Sequence, residues 1–354
     1  MNFRNRTRRS KNDEDVATII RRKKLMNEIK KISTISLILT TILVGIFAIK
    51  VNISNADNNQ YLATDKNIFG DNALIANSEA DQSEKLQESI KKASLDKKEL
   101  FIPAGKYYIN KSIALRTSDI NIIGDRDGAT ILANKDNAPD VIFDADNYIR
   151  TMQNLRFENL YLDGIQIKMR EKTNIRIENN VFYHSNADHI ISVLVGKNID
   201  INHNIFLRDL DHALLHDRNS RTIYVGGYDW GDQYKFIENV NIIDNIFGAK
   251  IDELDAIKTL QQAENQRNIA KLQKLLKEKK ISLKNNQNLI TTGINSYCNL
   301  KNAHIENNFF YSNFDEQEAE NNPIKHDHAT YLRGSQNIYM SGNHIRGFHN
   351  GPGG

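Results

Sequence analysis

The chain has one cysteine, Cys298, so no disulfide can form within it and a cysteine-stapled scaffold is excluded. The plain expectation for that thiol is a small buried residue in a rung, ahead of any reactive role. Four prolines and eighteen glycines among 354 residues exclude collagen-like and proline-rich architectures. A charge excess of one sign is also missing, since the net charge is +3. Even that small surplus is local: residues 1–32 hold eleven Lys or Arg against four acids, and the remainder has 36 basic and 40 acidic residues. The pI near 8.6 therefore describes the N-terminus, and charge gives no support for a nucleic-acid partner of the body. What the chain does have is apolar content of 40%, enough for a globular body, and many asparagines.

Ile32 to Ile49 is an uncharged, mostly apolar run. At 1.5 Å per residue it reaches roughly 27 Å, just enough for a bilayer core. The basic block precedes it, so residues 1–31 are expected to stay in the cytoplasm as a tail, residues 32–50 to form a transmembrane signal anchor, and the body to lie outside. Residues 51–80 are polar and read as a linker. Ser54-Asn55-Ala56 offers small residues to a signal peptidase, so secretion after cleavage near Ala56 is the alternative. A buried core helix is the third reading, and the flanking charge asymmetry speaks against it.

A nine-residue phrase recurs five times: Asn174–Phe182, Asn198–Phe206, Asn239–Phe247, Asn302–Phe310 and Asn337–Ile345, with Asn154–Leu162 a looser copy. Each copy opens with Asn and places two apolar residues at spacing two, the pattern of one face of a short strand. An Asn then bends the chain, because its short polar side chain tolerates a positive φ. A second short strand follows. A unit this short cannot bury its own apolar face, so copies must stack, as in a parallel β-helix.

Upstream, Asp81 to Ala93 has helical spacing, with Leu86, Ile90 and Ala93 on one side. Phe101-Ile-Pro-Ala-Gly-Lys-Tyr-Tyr-Ile109, Ile120-Asn-Ile-Ile-Gly-Asp125 and Ala129-Thr-Ile-Leu132 follow as strands and tight turns. This opening, with the later Asn phrases, resembles the pectin lyase-like (pectate lyase superfamily) right-handed β-helices over about residues 81–350. The resemblance implies an all-β chain: a right-handed parallel β-helix, or solenoid, over 81–354. The first helix would cap its open end, with one long helical insertion and the N-terminal transmembrane helix completing the architecture. For activity it implies only a range, from lyases, hydrolases and epimerases to phage tailspikes and non-catalytic adhesins.

The copies are 24, 41, 63 and 35 residues apart, whereas a plain rung takes roughly 20–25. Insertions are therefore expected near Ser220–Phe236, Ile251–Ile290 and Ser312–Lys325. The middle one is rich in helix formers, with Leu254, Ile257 and Leu260 as one apolar stripe and Ile269, Leu272 and Leu276 as another. It reads as one long helix or a helical hairpin leaning on the coil. Packed decoration is its plain role; a substrate lid or an oligomer contact is the alternative.

A second column precedes the phrase. Asp188-His189 and Asp327-His328 lie ten and nine residues before Asn198 and Asn337, and Asp211-His212 is assigned the same slot in its rung. In the Asn302 rung the slot holds Thr292-Gly293. Stacked rungs are about 4.8 Å apart, so these groups would share one ridge. Carboxyls roughly 5 Å apart suit a retaining glycosidase, and about 9.6 Å is near the limit of an inverting one. Clustered carboxylates also attract a cation, and Asp188 with Asp211 are the candidate Ca²⁺ ligands. The plain alternative is a column of Asp residues capping backbone N–H groups at rung corners.

Candidate catalytic residues are thus His189, Asp211, His212, Asp327 and His328. Arg218, Trp230, Tyr331 and Arg333 are candidate substrate contacts, with Tyr331 and Arg333 facing out if Thr330 and Leu332 face in. Exposed aromatics stack on sugars, and Arg pairs with uronate carboxylates. Trp230 reads equally as a loop anchor. The leading expectation is an extracellular lyase or epimerase acting on an acidic, uronate-containing polysaccharide, with a His as base and Arg or Ca²⁺ as neutraliser. A glycoside hydrolase using the Asp column and a non-catalytic adhesin or carbohydrate-binding scaffold are the alternatives. Because the chain stops just after a rung, a partner or a further segment is expected to cover the C-terminal rung.

Overall fold

A computed structural model of the protein describes residues 59–134, 141–146, 152–183, 189–207, 221–230, 233–249, 254–278, 292–311 and 328–348. The expected tail, the span over 32–50 and the cleavage site near Ala56 lie outside these residues. Among the described residues no helix is long and apolar enough to cross a membrane.

The described residues between 59 and 348 form a parallel β-helix with three faces. Face 1 stacks Ile113–Ala114, Val141–Ala145, residues 165–170 and 189–194, Arg221–Gly226, Thr292–Ser296 and Thr330–Leu332. Face 2 runs from Gln60–Leu62 through Ile120–Gly124, residues 172–178 and 196–202, and Ile237–Ile243 to Gln336–Ser341. Face 3 is a nine-stranded sheet from Ser78–Asp81 to His344–Arg346. Two strands, Ile165–Glu178 and His189–Asn202, are long enough to turn the corner from face 1 to face 2 unbroken. All neighbours within the three faces pair in parallel, so each apolar residue of one phrase lands on its counterpart in the next, as Ile175 does on Ile199 and Ile199 on Val240.

The phrase dictates this in detail. Its two spaced apolar residues point inward on face 2. Its ninth residue points inward on face 3, where Phe182, Phe206, Phe247 and Phe310 stack ring on ring at 5.1, 5.0 and 4.5 Å. The turn between them divides its labour between two positions. The sixth residue takes the positive φ, as in Asn179, His203, Asp244, Asn307 and Gly342. The seventh, Asn in all five copies, is buried at Asn180, Asn204, Asn245 and Asn308 and serves a different purpose. Asn204 Oδ1 accepts from both the backbone N (3.0 Å) and Nδ2 (3.1 Å) of Asn180, and Asn204 Nδ2 donates to Ile177 O at 2.8 Å. Asn245 and Asn308 repeat the pattern, so backbone groups that the corner would strand inside the coil are satisfied by one amide per rung.

The helix Ser83–Leu95 buries Leu86, Ile90 and Ala93 against the first rungs, as its spacing predicts. It also ends the sheets chemically. Gln87 donates to Ala114 O (2.8 Å) and accepts from Ala114 N (2.6 Å), in the manner of a missing neighbouring strand. Gln82 does the same for Ile75. An edge treated this way offers no template for further pairing.

Two expectations need correction. The stretch read as a linker belongs to the coil from residue 59 onward: Gln60–Leu62 pairs with Glu99–Ile102, and Ser78–Asp81 with Gly105–Tyr108. Four of its apolar residues, Ala63, Phe69, Ala73 and Leu74, are buried in the core, and a polar composition hid them. Likewise, Ser220–Phe236 is not one insertion. Arg221–Gly226 is a regular face 1 strand, because Ile223 and Val225 fill the inward slots next to Ile191 and Val193. Only the antiparallel hairpin Tyr228–Trp230 with Gln233–Lys235 is extra. Gly227 lets it leave the corner, since a Cβ there would lie 2.0 Å from Lys235 O.

The helical insertion is a hairpin, Leu254–Thr259 and Ala263–Lys277. Leu254, Ile257, Ile269, Leu272 and Leu275 cover the outer side of face 3, where Ile131, Tyr161, Val181, Ile205 and Ile246 would otherwise meet water. Leu260, expected in the stripe, ends outside at 66% exposure because the first helix stops before it. The packed decoration is the role observed.

Candidate functional site

With face 3 covered, faces 1 and 2 present the accessible sheet surfaces. Outward positions on face 1 change character along the coil. Toward the N-terminal end they are charged and paired: Asp146 receives Lys168 (2.9 Å) and Arg170 (2.7 Å), and Arg116 lies 3.7 Å from Asp144. These charges neutralise one another. From the rung of His189 onward, histidine, tyrosine and arginine side chains gather on this face instead.

There the rings form a continuous strip. His189 packs on Tyr224 (5.2 Å between ring centres), Tyr224 on Tyr297 (6.0 Å), Tyr297 on Tyr331 (5.8 Å) and Tyr331 on His328 (5.3 Å). Arg221 lies over the Tyr297 ring at 4.4 Å and donates a hydrogen bond to its hydroxyl. Register explains the strip. Tyr224 and Tyr331 flank Asn295 on the same outward line, and Tyr297 occupies the next outward position. Burial pushes the Tyr224 hydroxyl's pKa up, and nearby Cys298 adds to this while Arg221 opposes it, so Tyr224 stays a neutral donor. Tyr297 is 38% exposed, the rest being covered by its neighbours in the strip. Cys298 is half-buried, with Sγ 3.3 Å from Gly227 O.

Thr330 is buried and Leu332 packs on the core, so Tyr331 and Arg333 face outward as their spacing predicts, and Arg333 is exposed. His189 and His328 fall in one line, but the neighbour of His189 is Arg221, followed by Thr292. Continuing the register of Ile294 with Thr330 puts His328 beside Thr292. The slot assigned to Asp211-His212 is therefore held by Arg221, because inward Ile223 and Val225 fix that strand's phase. Thr292 stands in the histidine line rather than one place before it. Gly293 is glycine because a Cβ would come within 2.6 Å of the Phe310 ring.

Asp188, Asp211, His212, Arg218 and Asp327 lie outside the described residues, as do the two candidate Ca²⁺ ligands among them. Among the described residues no three metal-ligating side chains converge. Trp230 is on the corner hairpin that directly follows the strand of Tyr224. Sequence reasoning missed Arg221, Tyr224 and Tyr297. The available signal was a third short strand before each Asn phrase, Thr222-Ile-Tyr-Val-Gly226, Gly293-Ile-Asn-Ser-Tyr297 and Ala329-Thr-Tyr-Leu-Arg333, each bearing a tyrosine.

Comparison with known proteins places this geometry. No curated protein matches the sequence. Among solved structures, PfbA, a surface adhesin of Streptococcus pneumoniae, is 14% identical with a TM-score of 0.48, covering 78% of this chain and 64% of its own. Geobacillus virus E2 ORF18 is 14% identical with a TM-score of 0.48, covering 86% of this chain and 53% of its own. The chain thus spans less than two thirds of the length of either. A family profile described as rhamnogalacturonase A/epimerase, pectate lyase-like, matches residues 64–270, more than half of the chain. The protein belongs to this rhamnogalacturonase A/epimerase, pectate lyase-like family of β-helices.

Proposed function

We propose that face 1 binds an acidic, uronate-containing polysaccharide outside the cell, and that the protein acts on it as a lyase or epimerase. The observation that carries this reading is Arg221 clamped over Tyr297, in the middle of a strip that ends in a histidine on either side. The tyrosine rings offer apolar platforms to sugar rings. Arg221, with Arg333 beside the strip, offers a guanidinium fork to a carboxylate. Neutralising that carboxylate makes the C5 proton easier to remove, because negative charge developing on the carboxylate in the transition state is held by a fixed cation. The imidazole of His189 or His328 is the base that accepts the proton. Elimination then forms the C4–C5 double bond as the C4–O bond breaks and the leaving oxygen takes up a proton. Epimerisation instead returns a proton to C5 from the other side.

A Ca²⁺ held by Asp188 and Asp211 is the competing neutraliser, and those residues with Asp327 are the ground for a hydrolase reading. Incubating the full chain with a panel of uronate polymers, with and without chelator, separates the cases. Unsaturated-product absorbance that survives chelator, or solvent-proton exchange at C5, is the expected result. Loss with chelator assigns neutralisation to the metal. New reducing ends without absorbance mean hydrolysis, and binding without any product means an adhesin.

A further inference from the structure

We propose that face 2 carries a second carbohydrate site, for a neutral polysaccharide lying along the coil axis. The opening Asn of each phrase has its side chain outside the coil. Asn174 Nδ2 donates to Asn154 Oδ1 (2.9 Å), Asn198 to Asn174 (3.0 Å), Asn239 to Asn198 (3.0 Å) and Asn337 to Asn302 (3.0 Å). The array begins on Asp119, which accepts from Asn154. Every one of these residues has a positive φ. The backbone alone does not demand asparagine, however. At the neighbouring corner Glu171 and Val195 adopt the same conformation with φ of 55° and 59°.

An amide has two donors and two lone pairs. The ladder uses one of each, which leaves one N–H and one lone pair per rung for a ligand, all oriented alike and repeated about every 4.8 Å. That spacing is about one sugar unit per rung. Beside the ladder runs a groove of about 390 Å³, walled by Asn154, Asn174 and Asn198 and floored by Arg156, Arg176 and Asp200. Its cations are all paired: Arg156 is held by Glu99 (3.1 Å) and by Glu158, and Arg176 faces Asp200 at 3.8 Å, two guanidiniums against three carboxylates. A floor of paired charges and amides suits hydroxyl groups and gives no net attraction to a polyanion. The ligand class is therefore neutral, unlike that of face 1, and the inference stands apart from the reaction proposed there.

The test is affinity electrophoresis of the full chain through gels holding neutral glucans, galactans or xylans, with a uronate polymer in parallel. Asn174→Gly with Asn198→Gly removes two amides and keeps the turn, since glycine accepts a positive φ freely. Arg176→Ala is a second variant on an exposed residue that leaves the ladder intact. Wild type should be retarded by a neutral polymer, and both variants should lose about fivefold of that affinity, with uronate retardation unchanged. Arg221→Ala with Tyr297→Ala should do the reverse. No retardation by any neutral polymer overturns the proposal. So does retardation that survives both face 2 variants, or that follows only the face 1 variant.

Discussion

Faces 1 and 3 are outward surfaces of the same coil, built on the same rungs, and they solve opposite problems. On face 3 the outward line is Ile131, Tyr161, Val181, Ile205 and Ile246, and a helical hairpin covers it completely. On face 1 the corresponding outward positions are Lys168, Ser192, Tyr224, Asn295 and Tyr331, and their rings stay accessible, half-buried against one another. An apolar sheet surface must be covered or it becomes a site for association. Face 3 is covered by its own chain, which makes it a second hydrophobic core. Face 1 mixes rings with hydroxyl, imidazole and guanidinium groups, so it tolerates water and still offers stacking surface. The helical hairpin thus serves stability on face 3, away from the aromatic strip of face 1.

The contrast can be broken by substitution. Leu272→Ala, wholly buried between helix and face 3, should cost about 2–5 kcal/mol in chemical denaturation. Tyr297→Ala on face 1 should cost less than about 1 kcal/mol. If both destabilise equally, face 1 is structural too. Within the rung corners, Asn245→Ala should cost about 3 kcal/mol, because it strands the backbone N–H of Asn204 and the carbonyl of Ile201. The exposed Asn239→Gly should cost about 0.5 kcal/mol. Equal losses would mean that the buried and exposed ladders do the same job.

For binding, Arg221→Ala with Tyr297→Ala should weaken uronate-polymer affinity about tenfold, roughly 1.4 kcal/mol, while Leu272→Ala leaves the affinity of the folded fraction unchanged. The reverse outcome would move the site to the helical hairpin.

The smallest expected effect concerns acid. Burial pushes the Asp81 carboxyl up, but bonds from Ser83 and the Asn110 backbone, with the charge of Lys111, outweigh it and hold its pKa below the usual range. A depressed carboxyl stabilises the fold above its unfolded pKa, near 3.9, and that contribution fades as pH falls through the lower folded value. The stability gap between wild type and Asp81→Asn should therefore be present at neutral pH and shrink on acidification. A gap that does not change with pH would remove the carboxyl's charge from the account of the bonds that Asp81 accepts from Ser83 and Asn110.

Much of the coil was legible in sequence, because the phrase repeats its apolar slots at fixed spacing. Phe182, Phe206, Phe247 and Phe310 occupy the same inward position for the reason their spacing gives. The division between a positive-φ residue and a buried amide was not legible, since both positions are often Asn. The outward placement of Tyr331 and Arg333 was readable from strand alternation, and the shared line of His189 and His328 from their distance to the next phrase. Arg221, Tyr224 and Tyr297 were not, because the strands holding them are short and the intervals around them are stretched by insertions. Counting back from an Asn fails wherever a hairpin such as Tyr228–Lys235 intervenes. There only inward packing, as at Ile223 and Val225, sets the phase. The first rung was missed for a related reason: an edge strand such as Gln60–Leu62 is too short and polar to show alternation.

The most direct measurement is a crystal of the protein soaked with a short oligouronate. The account predicts sugar density across Tyr224, Tyr297 and Tyr331, with a carboxylate on Arg221 and C5 within reach of His189 or His328. An oligouronate bound instead on face 2 or against the helical hairpin, with the tyrosine strip bare, would contradict it.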